Sequence, residues 1–124
     1  MAASSAGLHE DGAALSPSTI DRHRATVSLM EELEAVDWYD QRIDASGDES
    51  LQEVLRHNRD EEKEHAAMTL EWLRRRDPEL DRLLRLYLFT EDPITEVEGS
   101  ASAEAPTRPP DLGVAALRER KETL

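Results

Sequence analysis

The sequence predicts an all-α protein built on an antiparallel two-helix hairpin, and three features support that prediction. Two long stretches lack Gly and Pro and carry apolar residues at the spacing of a helix face. Only a few residues around Gly47 separate these stretches, which leaves room for a reversal of direction and little else. A shorter apolar pattern of helical spacing follows Pro78. The chain is therefore expected to form one small helical domain with polar segments at both ends.

Helix 1 is predicted from about Pro17 to Ala45. Ser16 can cap the first turn with its side chain, and Pro17 suits the first helical position, where no backbone N–H is needed. The next Gly or Pro along the chain is Gly47, which suits the position just past the end of a helix.

Helix 2 is predicted from about Glu49 to Arg76, and helix 3 from Pro78 to about Phe89. Asp48 and Asp77 precede these helices and can cap them, and the sequence Asp77-Pro78 interrupts the helical pattern between them. The apolar residues of helix 3 are Leu80, Leu83, Leu84 and Tyr87.

Composition separates the ends of the chain from the hairpin. Residues 1–15 are small and polar and are expected to be flexible, whereas residues 16–92 form the helical domain. Residues 93–110 are acidic and rich in Ser, Ala and Pro, which predicts a disordered linker. Residues 111–124 begin with an apolar stretch, so this terminal segment is either a docking peptide carried on a tether or a frayed end without a role.

The charge balance points to cations as ligands. The formal net charge is −13 at pH 7 and Lys occurs only at Lys63 and Lys121, which argues against nucleic acid or an anionic membrane as a partner. The chain has no cysteine, so a metal would be held by oxygen and imidazole ligands. No apolar run has the length of a membrane span and no signal-peptide pattern opens the chain, so a cytoplasmic location is expected.

Three metal-ligand side chains fall inside the apolar faces of the two long helices. Glu32 lies within the apolar stripe of helix 1, which consists of Ala25, Leu29, Leu33, Val36 and Ile43. Asn58, Glu62 and His65 occupy the centre of the stripe on helix 2, which consists of Leu51, Val54, Leu55, Ala66, Thr69, Trp72 and Leu73. Because Glu32 and Glu62 are equally far from Gly47, both are expected at the same height in the hairpin. A buried carboxylate is costly unless it is paired or coordinated. The pattern therefore indicates a site for iron or manganese, although Glu-x-x-His alone is a weak motif in so acidic a chain.

The alternative to a metal site is a buried ion pair between a glutamate and His65 that ties helix 1 to helix 2. If the site does bind metal, one hairpin supplies only half of the ligands that a four-helix metal bundle uses. Two hairpins related by a two-fold axis would close the bundle and complete the site. Helix 1 has a second apolar line at Ile20, Val27 and Trp38, so assembly beyond a dimer is also expected.

Residues close to these ligands are candidates for supporting roles. Glu31 and Glu34 lie beside Trp38. They could form a vestibule or a second site that suits Ca²⁺ or another divalent cation. The alternative is that they belong to a solvated acidic face. Tyr39 could donate a hydrogen bond to a ligand carboxylate, or could be an ordinary boundary tyrosine. Trp38, Tyr39 and Asn58 are the expected neighbours of the ligands.

Several motifs closely resemble those of the encapsulated ferritins. They are Glu31–Tyr39 (EELEAVDWY), His57-Asn58, Asp60–Trp72 (DEEKEHAAMTLEW) and Tyr87–Thr90 (YLFT), and they cover most of residues 22–93. The resemblance implies a ferritin-like four-helix bundle formed by two chains. Between them Glu32, Glu62 and His65 would make a di-iron ferroxidase centre that oxidises Fe²⁺ to Fe³⁺, with Glu31 and Glu34 at a metal entrance or secondary site.

The resemblance also implies how the protein is assembled and stored. Dimers of this family form an open ring, typically a decamer, which lacks an interior for mineral. The terminal segment resembles the peptides that dock cargo onto the inner wall of an encapsulin shell, and the residues expected to bind there are Leu112, Gly113, Val114, Leu117 and Arg118. The protein would then feed iron mineralisation inside a cytoplasmic encapsulin nanocompartment. The competing function is a non-catalytic metal-binding scaffold or a manganese or iron buffer.

Overall fold

The computed structural model describes residues 7–99, and predictions for residues 100–124, including the docking segment 111–124, lie outside that range. Three α-helices follow one another: α1 (Pro17–Ala45), α2 (Glu49–Arg75) and α3 (Pro78–Tyr87). One-turn 3₁₀ helices lie at Gly12–Ala14 and Ile94–Glu96. No strand occurs within residues 7–99, so the all-α prediction is confirmed, and each long helix lies within a residue of its predicted bounds.

Each helix begins at the side-chain cap that the sequence predicts. The Thr19 N–H donates to Ser16 Oγ at 3.2 Å at the start of α1. The Leu51 N–H donates to Asp48 Oδ1 at 3.1 Å, and the Leu80 N–H donates to an Asp77 side-chain oxygen at 3.0 Å. These bonds satisfy backbone donors that a helix start would otherwise leave without a partner.

The end of α1 differs from the glycine cap that Gly47 suggests. Ser46 leaves the helix in an extended conformation (φ −83°, ψ 135°), and its N–H donates to the Arg42 carbonyl at 3.0 Å. No glycine among residues 7–99 has a positive φ, and a Cβ at Gly47 would meet nothing within 4 Å. The helix therefore ends through the extended Ser46, and Gly47 is not required for a left-handed turn.

Three side-chain contacts fix α1 and α2 as an antiparallel pair. Near the loop, Gln52 Nε2 donates to the Ile43 carbonyl at 3.3 Å. Further along, an Arg59 terminal nitrogen donates to Asp40 Oδ1 at 2.9 Å. Thr69 Oγ1 donates to Glu32 Oε1 at 3.3 Å. Because the contacted positions on α1 fall as those on α2 rise, the two helices run in opposite directions.

The buried core of the hairpin is small. Ile43, Ala66 and Leu73 are buried, with exposed fractions of 6%, 7% and 8%. Other members of the predicted inward stripes are about half exposed in the single chain: Leu33 at 55%, Leu51 at 48% and Val54 at 54%. Two helices touch along one line only, so the flanks of each apolar stripe stay open.

The chain divides into two compact units, Met1–Leu80 and Asp81–Leu124, where the sequence predicted one domain over 16–92. In the second unit α3 ends at Tyr87, two residues before the predicted end, and the Thr90 hydroxyl donates to the Tyr87 carbonyl at 2.9 Å. Phe89 has a positive φ of 61°, a conformation that is strained for a bulky residue.

Two segments predicted to be irregular contain local structure. In the first unit, the Ala13 N–H donates to Asp11 Oδ1 at 3.0 Å and begins the turn Gly12–Ala14, within the lead-in predicted to be flexible. In the second unit, the predicted disordered linker begins with the turn Ile94–Glu96, and Val97 is only 4% exposed. The assignment of residues 93–110 as a linker stays a prediction. None of the helices within residues 7–99 is long and apolar enough to cross a lipid bilayer.

A cluster of ionic and aromatic contacts closes the end of α2. Glu71 accepts hydrogen bonds from Arg74 Nε at 2.6 Å and from Arg75 Nε at 2.7 Å. The Arg76 guanidinium lies 3.9 Å from the centre of the Trp72 ring. The hydrogen bond from Arg74, and then that from Arg75, lowers the pKa of Glu71 to about 2.

Replacing Glu71 by glutamine should lower the free energy of unfolding at pH 7 by about 1 kcal/mol at most, because these ion pairs are partly exposed and solvent screens them. The folded-state pKa of about 2 lies below the ordinary value of 4.5, so this stabilisation is present above pH 4.5 and is lost as the pH falls toward 2. Urea unfolding followed by circular dichroism should show the difference between wild type and variant shrinking over that range. A Glu64→Gln control should show no such trend, and a Glu71→Gln difference that stays constant from pH 7 to 2 would contradict the assignment.

Candidate metal centre

Glu32 is held between the two helices of the hairpin, as its place in the apolar stripe predicts. Its Oε1 accepts a hydrogen bond from Thr69 Oγ1 at 3.3 Å. Its Oε2 is buried and has no hydrogen-bond partner. A buried carboxylate oxygen without a hydrogen-bond partner destabilises the folded protein, and it does so more than a neutral polar group in the same position. Glu32 therefore has one buried carboxylate oxygen whose hydrogen-bonding capacity is unsatisfied.

Glu62 and His65 lie together on α2, one turn apart. Glu62 Oε2 is 3.7 Å from His65 Nδ1, which is too long for a hydrogen bond. The Glu62 side chain is 27% exposed and the His65 side chain 49% exposed. Neither group is locked into a tight ion pair, so both retain lone pairs with which to bind a cation.

The predicted alternative, an ion pair between His65 and a glutamate of the other helix, does not occur in the part of the chain that the structure describes. The partner of Glu32 on α2 is the hydroxyl of Thr69, and the partner of His65 is Glu62 on its own helix. The interhelical contact at Glu32 is therefore a hydrogen bond from a neutral donor, which does not neutralise the carboxylate.

One chain does not gather Glu32, Glu62 and His65 into a complete metal site. Within residues 7–99, no three acidic or histidine side chains converge closely enough to hold an ion. The Glu32 carboxylate instead reaches Thr69, which lies about two turns, or about 10 Å, beyond Glu62 along α2. Equal height along the hairpin is thus not sufficient to join the two carboxylates.

The direction of the side chains explains this offset. Every Cα–Cβ bond of an α-helix tilts toward the N-terminus of its own helix. In an antiparallel pair, side chains at the same height therefore lean in opposite directions along the common axis. Glu32 leans toward the open end of the hairpin and Glu62 leans toward its loop.

Thr69 was predicted only as a member of the helix 2 stripe and not as a residue of the site. Its hydroxyl lies 3.0 Å from the His65 carbonyl and 3.3 Å from Glu32 Oε1. The signal in the sequence is its spacing. Thr69 follows His65 by one helical turn, so it shares the inward face with the Glu-x-x-His motif.

The remaining predicted residues have the following positions. The Arg42 guanidinium lies 5.5 Å from the centre of the Tyr39 ring, on the same helix. Trp38 is 48% exposed, Glu31 is exposed, and Glu34 and Asn58 are partly buried. His57 pairs with Glu61 at 2.8 Å on the surface of α2. The roles predicted for Glu31, Glu34, Trp38, Tyr39 and Asn58 toward a metal remain predictions, and those of residues 112–118 lie outside the described part of the chain.

Comparison with known proteins identifies the relatives of this chain. An encapsulated ferritin-like protein from Rhodospirillum rubrum is 63% identical over 103 residues, which span 83% of this chain and 74% of that protein. The encapsulin nanocompartment cargo protein EncC from Myxococcus xanthus is 42% identical over 53 residues, which span 43% of this chain and 41% of that protein.

A solved structure is also similar in fold and sequence. The crystal structure of protein ne0167 from Nitrosomonas europaea superposes with a TM-score of 0.69 at 59% sequence identity, and the match covers 71% of this chain and 97% of that chain. The EncFtn-like family model matches residues 7–91, a range that contains the whole hairpin and Glu32, Glu62 and His65. This chain belongs to the EncFtn-like family.

Proposed function

We propose that two copies of this chain form a ferroxidase centre from Glu32, Glu62 and His65 of each copy, with Fe²⁺ as the substrate. The observation that carries the proposal is the buried Glu32 Oε2, which has no hydrogen-bond partner in its own chain. A buried, unpartnered carboxylate oxygen is stable when a cation binds it. Carboxylate oxygens with one imidazole and no sulfur suit iron or manganese.

The exposed apolar surface of the hairpin supports a second chain as the source of the missing ligands. Leu33, beside Glu32 in the sequence, is 55% exposed, and Met68, beside Thr69, is 65% exposed. Leu51 and Val54 leave further apolar area open along α2. A second hairpin packed against these side chains would bury them and bring a second set of ligands to the same interface.

The chemistry requires little of the protein beyond placement and charge. The reaction takes one electron from each of two substrate Fe²⁺ ions, and O₂ accepts both electrons with two protons from water, giving Fe³⁺ and hydrogen peroxide. Glu32 and Glu62 from two chains would supply four carboxylates, whose charge stabilises Fe³⁺ more than Fe²⁺. His65 would bind through a neutral imidazole nitrogen, and the bundle would limit the access of water.

The names of the relatives support storage of the oxidised iron in a protein shell. The Rhodospirillum rubrum relative is encapsulated and the Myxococcus xanthus relative is an encapsulin cargo protein. We therefore propose that this chain is packaged in an encapsulin nanocompartment, where its product enters a mineral. The ring assembly and the second metal site at Glu31 and Glu34 belong to the same proposal. The exposed Trp38 beside those glutamates supports a further subunit contact there.

The test of the proposed reaction is a single-turnover experiment. The metal-free protein is loaded anaerobically with one Fe²⁺ per chain and then mixed with O₂, while Fe³⁺ absorbance and O₂ consumption are recorded. A ferroxidase should form Fe³⁺ much faster than protein-free buffer, with two Fe²⁺ consumed per O₂ in the first turnover. Iron that stays bound and is oxidised no faster than in buffer would instead indicate a metal buffer or scaffold.

Removal of the terminal segment should abolish packaging without affecting oxidation. Truncation after Pro110 removes Leu112, Val114 and Leu117, the apolar side chains expected to fill pockets on the shell wall, and leaves the hairpin intact. Co-expression with an encapsulin shell protein, followed by purification of the shell, measures the packaged fraction. We expect wild-type chain in the shell and the truncated chain outside it. Equal packaging of both would contradict the docking role.

The matched experiment transfers the segment to an unrelated protein. A fluorescent protein that carries residues 111–124 at its C-terminus should enter the shell, whereas one carrying residues 93–110 should not. Failure of the first fusion to enter the shell would also contradict the docking role, because a peptide on a tether should act independently of its carrier.

A further inference from the structure

We infer that Thr69 is a positioning residue of the metal centre, whose hydroxyl sets the orientation of the Glu32 carboxylate. This inference rests on the proposed function, because it assigns Thr69 a role through Glu32. The Thr69 hydroxyl is the donor to Glu32 Oε1, at 3.3 Å. With Oε1 held in this way, Oε2 is left buried and without a partner. The bond thus determines which carboxylate oxygen is presented to a cation.

The Thr69 hydroxyl lies between two acceptors and has only one proton. The His65 carbonyl is 3.0 Å away and Glu32 Oε1 is 3.3 Å away. A hydroxyl can donate to one of them at a time. The His65 carbonyl lies inside α2 and already accepts a backbone hydrogen bond in the regular α-helical pattern. The charged oxygen is the stronger acceptor, so in the metal-free protein the proton is expected on Glu32.

Metal binding at Oε2 should leave this bond in place. A carboxylate that binds a metal through one oxygen commonly accepts a hydrogen bond at the other, so Oε1 can keep the Thr69 proton while Oε2 binds the cation. Thr69 would therefore link Glu32 on α1 to the turn of α2 that carries His65, and hold the two ligand positions in a fixed relation before metal arrives.

Thr26 on α1 provides a matched control for the role of Thr69. Its hydroxyl donates to the carbonyl four residues earlier, that of Arg22, at 2.7 Å. This is the ordinary bond of a threonine within a helix. The Thr69 hydroxyl lies 3.0 Å from the corresponding carbonyl, that of His65, and also contacts a carboxylate of the other helix. The interhelical contact is what distinguishes Thr69 from Thr26.

The test compares Thr69→Val, Thr69→Ala, Thr69→Ser and Thr26→Val in the full-length chain. Anaerobic titration with Co²⁺ measures affinity by calorimetry and ligand geometry by visible absorption, without any dependence on turnover. Thr69→Val and Thr69→Ala should weaken Co²⁺ binding by about 10 to 100-fold and alter the visible spectrum, because removal of a group that orients a ligand has effects of this size. Thr69→Ser should retain wild-type affinity and spectrum, and Thr26→Val should match wild type.

Two results would overturn the inference. If both Thr69→Val and Thr69→Ala, folded by circular dichroism, bind Co²⁺ with wild-type affinity and spectrum, the hydroxyl does not position Glu32. If Thr69→Ser binds as weakly as Thr69→Ala, the role of Thr69 is packing of its methyl group.

Glu32→Ala separates failure of this inference from failure of the proposed function. Loss of Co²⁺ binding in Glu32→Ala with retention in both Thr69→Val and Thr69→Ala would reject only the positioning role. Wild-type binding in Glu32→Ala would reject the metal centre itself, and the positioning role with it.

Discussion

Replacing Glu32 by alanine should slow single-turnover Fe²⁺ oxidation by about 100-fold or more, because it removes a metal ligand from both halves of a symmetric centre. Glu62→Ala and His65→Ala should have effects of the same order. The helices should survive, since Glu32 makes one long hydrogen bond and Glu62 and His65 are 3.7 Å apart without a tight contact. Stopped-flow absorbance of Fe³⁺ after anaerobic loading measures the rate, and circular dichroism checks the fold.

Glu64→Ala is the matched control for these ligand variants. Glu64 lies between Glu62 and His65 in the sequence, yet its side chain is exposed. Its removal changes the net charge as much as loss of Glu62 does, so it accounts for nonspecific attraction of iron to an acidic surface. Oxidation should proceed at close to the wild-type rate in Glu64→Ala. A folded, assembled variant of Glu32, Glu62 or His65 that oxidises iron as fast as Glu64→Ala would exclude that residue from the centre.

Removal of metal should dissociate the assembly into smaller species. When two hairpins meet, carboxylates from both chains come close, and their repulsion opposes association until cations neutralise them. Binding of metal only to the assembled state would stabilise it by about 2.7 kcal/mol at a concentration 100 times the dissociation constant. Native mass spectrometry and light scattering, in the presence of chelator and then of Fe²⁺ or Mn²⁺, should show conversion from small to larger species.

The variant Glu32→Ala with Glu62→Ala tests the cause of this assembly. Loss of four carboxylates per dimer removes the repulsion, so its oligomeric state should no longer depend on metal. An assembly of wild-type protein that is the same size with chelator and with metal, and that retains no ion, would contradict metal-driven association.

The helices were largely predictable because the signals that begin and end them are local. Ser16, Asp48 and Asp77 each accept the backbone hydrogen bond that their position in the sequence implies. The position at which α1 ends was predictable, but the way it ends was not. The helix ends through the extended Ser46, so Gly47 is not needed for a left-handed turn. The buried position of Val97 depends on contacts that composition does not reveal, so the acidic stretch around it resembled a linker.

The inward position of Glu32 was predictable, and the contacts that it makes there were less so. Helical periodicity placed Glu32 inside the hairpin, and its buried oxygen confirms that orientation. Periodicity predicts how far along the helix a side chain lies and on which face, but not how it tilts along the helix axis. The contact between Glu32 and Thr69 was therefore not predicted. The exposure of Leu33 also differs from the inward position predicted for it, because a single hairpin cannot cover both flanks of its apolar stripe.

Anomalous X-ray scattering would show whether one metal centre is built from two chains. Crystals grown with Fe²⁺ or Mn²⁺ and measured on both sides of the metal absorption edge would locate the ions without assumptions about their ligands. We expect anomalous peaks at the interface of two hairpins, with Glu32, Glu62 and His65 of both chains as ligands. Peaks bound by the side chains of one chain alone, or an interface with ordered side chains and no peak at full metal loading, would rule out a centre shared by two chains.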